Sequence, residues 1–136
     1  MINEEELGVK REIMALMAAS LVLLALPARA DGDPEKGRKV FIRCQACHSL
    51  KEGQNRVGPS LHGIIGRKAG SLASFTRYSP AMKSADVVWN DETLNEYLKN
   101  PRAFLPGNAM PFPGLPKEED RENLIAFLKQ AGGASK

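Results

Sequence analysis

The sequence predicts an all-α domain of three main helices joined by long loops. Segments around residues 34–44, 90–100 and 117–130 pair helix start and stop signals with apolar residues at helical spacing. No segment alternates apolar and polar residues convincingly enough for a strand, and there is no internal repeat. Two stretches, Ser49 to about Asp86 and Pro101 to Pro116, are rich in turn-forming residues and have no sustained period. Loops of that length are uncommon inside a compact domain unless they wrap something.

The first element stands apart from this domain. Ile13 to Leu26 is an apolar run broken only by Ser20, and it ends in Pro27-Ala28-Arg29-Ala30, the small residues expected before a signal-peptidase cut. Lys10 and Arg11 precede the run, although Glu4, Glu5, Glu6 and Glu12 make the leader unusually acidic. Fourteen residues fall short of the roughly twenty that span a bilayer, so a cleaved export signal is expected rather than an anchor. The expected organisation is a signal peptide over residues 1–30 and one domain over residues 31–136. Removing the leader takes away three basic and four acidic residues and moves the formal charge from +3 to +4. No block of like charge forms a nucleic-acid patch. A modest positive excess suits docking to an acidic protein partner.

The first helix opens at Asp33-Pro34-Glu35, an N-cap, a proline at the first helical position and an early acid. It is expected to run through Gly37, Val40, Phe41 and Cys44. Gly37 and Phe41 share a face, which makes the glycine a candidate for close approach by another helix. The helix delivers Cys44-Gln45-Ala46-Cys47-His48.

Two thiols three positions apart followed at once by an imidazole form the covalent attachment signature of c-type haem. On one helical turn the two sulfurs can each add across a haem vinyl group while His48 takes an axial position on the iron. Other readings fit less well. A thioredoxin-like pair needs a βαβ context that is absent here. A structural zinc would have to recruit both cysteines and both histidines of the chain. A disulfide across so short a span constrains little unfolded chain and leaves His48 unexplained. Bacterial haem attachment takes place outside the cytoplasmic membrane, so the export signal and the motif support each other. A domain of about a hundred residues buries a limited core, and without its haem it should be poorly folded.

The second helix is capped by Asn90-Asp91-Glu92, runs through Leu94, Tyr97 and Leu98, and stops at Asn100 before Pro101. The last spans Lys117 to Gln130, with Leu124, Ile125, Phe127 and Leu128 apolar and Gly132 ending it. Between them, Met110 sits in Pro106-Gly107-Asn108-Ala109-Met110-Pro111, where the prolines stiffen the backbone into a strap. If His48 holds one side of the iron, the remaining candidates for the other are His62, Met82, Met110, lysines and tyrosines. His62 is close to His48 in sequence and suits a surface or supporting hydrogen bond, and Met82 lacks a strap. A methionine in a proline-bracketed loop is an unusual core filler, which favours Met110. Thioether ligation would raise the potential and leave no vacant position for oxygen or peroxide, as outer-sphere electron transfer requires.

These residues resemble the class I cytochrome c family, in the branch shared by mitochondrial cytochrome c and soluble bacterial relatives. The resemblance rests on Gly37 and Phe41, Cys44 to His48, Val57-Gly58-Pro59-Ser60-Leu61-His62-Gly63, Gly66-Arg67-Lys68, Trp89, Tyr97, Pro101, Pro106-Gly107, Met110 and Leu124 to Lys129. It implies the class I cytochrome c fold around one covalent haem c per chain, bound by Cys44 and Cys47, with iron ligands His48 and Met110. It further implies that Pro59 accepts a hydrogen bond from the His48 ring and that Arg67 and Trp89 meet a buried propionate. Tyr97 would sit beside the Met110 sulfur, Phe127 would meet Gly37, and Tyr78 is a further candidate for a propionate contact.

The sequence departs from mitochondrial relatives at Ala103 and Ala109, where lysines are usual. Arg43, Arg56, Arg102 and Lys117 remain as the expected basic ring, and Met82 stands where a polar side chain is common. The implied function is that of a periplasmic, monomeric one-electron carrier, not an enzyme. Its donor would be a membrane quinol:cytochrome c reductase and its acceptor a cytochrome oxidase or photosynthetic reaction centre, met by peripheral contact. The electron-accepting haem subunit of a periplasmic dehydrogenase, and a haem enzyme or gas sensor with an open or labile sixth position, are the alternatives.

Overall fold

A computed structural model describes residues 31–133 of the chain. The expected signal peptide over residues 1–30 lies outside the described residues. Three longer helices, α1 (Pro34–Phe41), α3 (Asp91–Lys99) and α5 (Glu118–Ala131), carry the fold, with two short ones, α2 (Pro80–Ser84) and α4 (Pro101–Phe104). Among the described residues the only β pairing is an isolated bridge between Lys68 and Val88. No helix among them is long and apolar enough to cross a membrane. The all-α architecture is therefore as expected, while the two short helices lie in segments read from the sequence as loops.

Each helix end has a local cause. The Asp33 carboxylate accepts from the N–H groups of Glu35 and Lys36 at the start of α1. At α3, Asn90 and Thr93 cap reciprocally, each side chain accepting from the other's backbone N–H. Helix α4 starts on the Asn100 side chain, which accepts from Ala103 N–H. The last helix begins one residue later than expected, with Lys117 as a cap that makes no side-chain bond, and Gly132 closes it by donating to Leu128 O. Helix α1 ends at Phe41 rather than running through Cys44. The chain beyond it coils through successive turns, in which Cys44 N–H donates to Phe41 O at 2.8 Å.

The core forms where α1 crosses α5. A Cβ on Gly37 would lie 1.9 Å from Asn123 O and 2.7 Å from the Phe127 Cβ, so only glycine permits this approach. The Phe41 and Phe127 rings meet beside it with centroids 5.4 Å apart. Asn123 is buried and its Oδ1 accepts from Asp33 N–H at 2.7 Å, which ties the entry of α1 to α5. Leu94, Leu98, Leu115, Leu124 and Leu128 continue the core beneath α3. Leu115 N–H donates to Leu98 O at 2.7 Å, returning the strap to α3 before α5 begins.

Candidate haem site

One cavity of about 310 Å³ opens between the Cys44 turn, the long loop and the strap. All eight predicted site residues line it: Cys44, Cys47, His48, Pro59, Arg67, Trp89, Tyr97 and Met110. Tyr78 and Met82 line it too, and His62 does not.

Cys44 to His48 forms a single turn, closed by His48 N–H donating to Cys44 O at 2.9 Å. Both thiols are free and half-buried on the cavity wall. Burial pushes the Cys44 thiol up, against a lowering influence from Arg43. His48 Nδ1 lies 2.7 Å from Pro59 O. A carbonyl can only accept, so Nδ1 carries the hydrogen and the neutral ring presents Nε2 as a free electron pair. Burial lowers the His48 pKa and favours that neutral form, opposed by the Pro59 bond. A Cβ on Gly58 would fall 2.4 Å from His48 Cε1, so the backbone hugs the imidazole face.

The opposite element is the strap. Gly107 takes φ +85° and turns the chain after Pro106. Asn108 Oδ1 then accepts from Met110 N–H at 3.0 Å. Tyr97 OH is 3.8 Å from the Met110 sulfur, and burial pushes the Tyr97 pKa up to about 12. Tyr97 stays protonated and donating throughout the neutral range. Its ring packs against Trp89 in a tilted pair, centroids 4.9 Å apart, and meets Phe104 edge-on at 5.8 Å.

At the floor, Trp89 is buried and its backbone is fixed on both sides. Its N–H donates to Arg67 O at 2.9 Å and its O accepts from Gly66 at 2.7 Å. The Arg67 guanidinium donates to Ser60 O at 2.8 Å and to His62 O, and it hydrogen-bonds Tyr78. His62 thus serves through its carbonyl, while its ring lies beside Gly133. Burial lowers the Arg67 pKa and raises that of Tyr78, the two groups partly offsetting this for one another.

Several supports escaped the sequence reading. Asn55 joins distant pieces of the long loop, donating to Ser74 O at 2.8 Å and accepting from Ser60 N–H at 2.9 Å. Arg56 donates to Gln45 O beside the cysteine turn, and Arg77 to Arg56 O. Such side chain to backbone bonds across a loop carry no periodic signal. Asn108 carried a local signal instead, since an Asn side chain often accepts from the N–H two residues on in an Asx turn.

The donor set fits a haem. Two free thiols, a neutral imidazole with Nε2 available and a thioether share one largely apolar cavity, and a glycine cradle leaves room for the ring bearing Nε2. Comparison with known proteins agrees. The family model described as "Cytochrome c" matches residues 34–132. A cytochrome c of Cochliobolus lunatus is 50% identical over 101 residues, 73% of this chain and 93% of the relative. Cytochrome c2 of Rhodoblastus acidophilus is 48% identical over 100 residues, 73% and 92% of the two chains. The solved structure of cytochrome cH from Methylobacterium extorquens superposes with a TM-score of 0.69 at 37% identity, covering 73% of this chain and 99% of that one.

Proposed function

This chain belongs to the cytochrome c family, whose members carry electrons on covalently attached haem c, and we propose that its iron is held between His48 and Met110 in an exported one-electron shuttle. The observation that carries this reading is that His48, from the turn after α1, and Met110, from the late strap, line one cavity. When bound, the haem supplies a one-electron ferric/ferrous couple. Cys44 and Cys47 would hold it as thioethers, each S–H bond and vinyl π bond giving way to one C–S and one C–H bond with no net oxidation. Pro59 holds His48 in the Nδ1–H tautomer and raises its basicity as a ligand. Tyr97 donates to the Met110 sulfur, while Arg67, Trp89 and Tyr78 offer charge and hydrogen bonds to a propionate. Were His48 and Met110 both to hold the iron, no position would be left for substrate, and the reading is therefore of a carrier and not an enzyme.

The proposed partners are a membrane quinol:cytochrome c reductase as donor and a cytochrome oxidase or photosynthetic reaction centre as acceptor. The protein is proposed to work as a periplasmic monomer, freed from residues 1–30 by cleavage. Mass spectrometry of the exported protein should give a chain starting at Asp31 plus one haem; a mass retaining residues 1–30 argues for an anchor. Stopped-flow mixing with the reductase and the oxidase should give fast electron transfer with both. Failure with both would overturn the shuttle assignment.

A further inference from the structure

We propose that Asn108 is a positioning residue for the Met110 ligand, a clamp that keeps the thioether on the iron by closing the strap onto α4. The proposal rests on the His48/Met110 reading above. One amide side chain makes three hydrogen bonds here. Its Nδ2 donates to Pro101 O and to Leu105 O, each at 2.9 Å, and its Oδ1 accepts from Met110 N–H at 3.0 Å. Pro101 and Leu105 are the two ends of the α4 turn, already joined by Leu105 N–H donating to Pro101 O at 3.0 Å. Pro101 is among the most deeply buried side chains, so the clamp is anchored on a residue packed into the core.

The bonds act in series on Met110. Proline at 106 and 111 removes backbone donors on both sides of the strap, so its interior N–H groups have few ways to fix themselves. Asn108 supplies that fixation. Its backbone N–H also donates to Leu105 O at 3.1 Å, so backbone and side chain together hold one carbonyl. The next residue but one is Met110, whose sulfur is 3.8 Å from Tyr97 OH. The clamp thereby sets the height of Met110 above the cavity, and Tyr97 sets the direction of its sulfur. On the far side, Ala81 of α2 abuts Gly107, where an added Cβ would come within 3.3 Å, so the strap lies between α4 and α2.

The two ends of the strap are built differently. Its distal root is held by buried Arg121, which donates to Leu115 O at 2.7 Å, Pro116 O at 2.9 Å and Asn95 Oδ1 at 2.6 Å. That guanidinium grips backbone beyond the apolar core contact of Leu115, five residues after the ligand. Asn108 is the side chain that bonds the Met110 backbone itself. Loosening it should free the thioether without opening the α1–α5 core.

The test uses the ferric holoprotein and imidazole as a competing ligand. Binding rates at saturating imidazole report how often Met110 leaves the iron, and the red charge-transfer band reports ligation at rest. Asn108→Ala should raise the limiting rate about tenfold or more, the consequence of losing three neutral hydrogen bonds from a partly buried site. Asn108→Ser keeps a short acceptor for Met110 N–H without the reach to Pro101 and should fall between. Phe127→Leu, at the α1–α5 crossing, should lower global stability with little change in the limiting rate. Protection of the Met110 amide from hydrogen exchange should fall in Asn108→Ala and persist in Phe127→Leu. Rates in Asn108→Ala equal to wild type, or raised no more than in Phe127→Leu, would overturn the clamp. Met110→Ala separates the two layers of the argument. If it leaves band and rates unchanged, the ligand assignment itself fails; if it abolishes the band while Asn108→Ala changes nothing, only the clamp fails.

Discussion

Tyr97 places its hydroxyl 3.8 Å from the sulfur of Met110, with its aromatic ring in a mutual cluster with Trp89 and Phe104. An O–H donor at a thioether draws electron density from sulfur and weakens its donation to ferric iron more than to ferrous. Tyr97→Phe should therefore lower the reduction potential by about 40 mV, the equivalent of one hydrogen bond of about 1 kcal/mol for a one-electron couple. Spectroelectrochemical titration reads this directly, and an unchanged or raised potential would contradict the contact.

The same burial makes a pH prediction. Burial disfavours the phenolate and pushes the Tyr97 pKa up to about 12 in the folded protein, from an ordinary tyrosine value of about 10. The stabilisation this represents is fully present below pH 10 and is lost as pH rises from there through 12. It amounts to about 3 kcal/mol at most. Denaturant unfolding at pH 9, 10 and 11 should show a steeper alkaline loss in wild type than in Tyr97→Phe. Parallel curves would mean that the hydroxyl is not held away from water.

Gly58→Ala tests the cradle at His48, the other proposed iron ligand. The added Cβ would sit 2.4 Å from His48 Cε1 and must push the imidazole off the Pro59 carbonyl or shift the loop. The expected cost to the holoprotein is about 1–3 kcal/mol, with weaker protection against haem-ligand exchange. Thermal unfolding indistinguishable from wild type would remove the argument for close packing on that face.

The cavity itself predicts dependence on the cofactor. Phe41, Ile64, Trp89, Leu94, Leu98, Leu124 and Leu128 serve the core and line the cavity at once, so without haem their inner faces meet water. A Cys44→Ala/Cys47→Ala double variant, unable to form thioethers, should lose most helical circular dichroism and unfold without a cooperative transition. A cooperative haem-free fold would show that α1, α3 and α5 suffice by themselves.

What the sequence made legible is what local chemistry writes. Asp33-Pro34 and Asn90 announced their helices because a cap is a short-range device, and Cys44 to His48 announced the cofactor because covalent attachment needs fixed spacing. Gly37 could be read as a contact point, though only the structure shows that Asn123 O is what a Cβ would strike. Element boundaries shifted in several places. Helix α1 stops at Phe41 because the chain tightens into turns that deliver Cys44 and Cys47, and the long loop holds the five-residue helix α2, started by Pro80 and the Ser79 cap. Bonds such as Asn55 to Ser74, Arg121 to Leu115 and Asn108 to Pro101 could not be read ahead. Each joins a side chain to a backbone carbonyl whose position depends on the whole fold.

The most direct measurement is the visible spectrum of the oxidised protein, in wild type and in Met110→Ala. The account predicts a weak red charge-transfer band of an iron–thioether bond in the first and its loss in the second. Absence of the band from wild type, with fast carbon monoxide binding to the reduced form, would contradict the His48/Met110 assignment and the electron-carrier mechanism built on it.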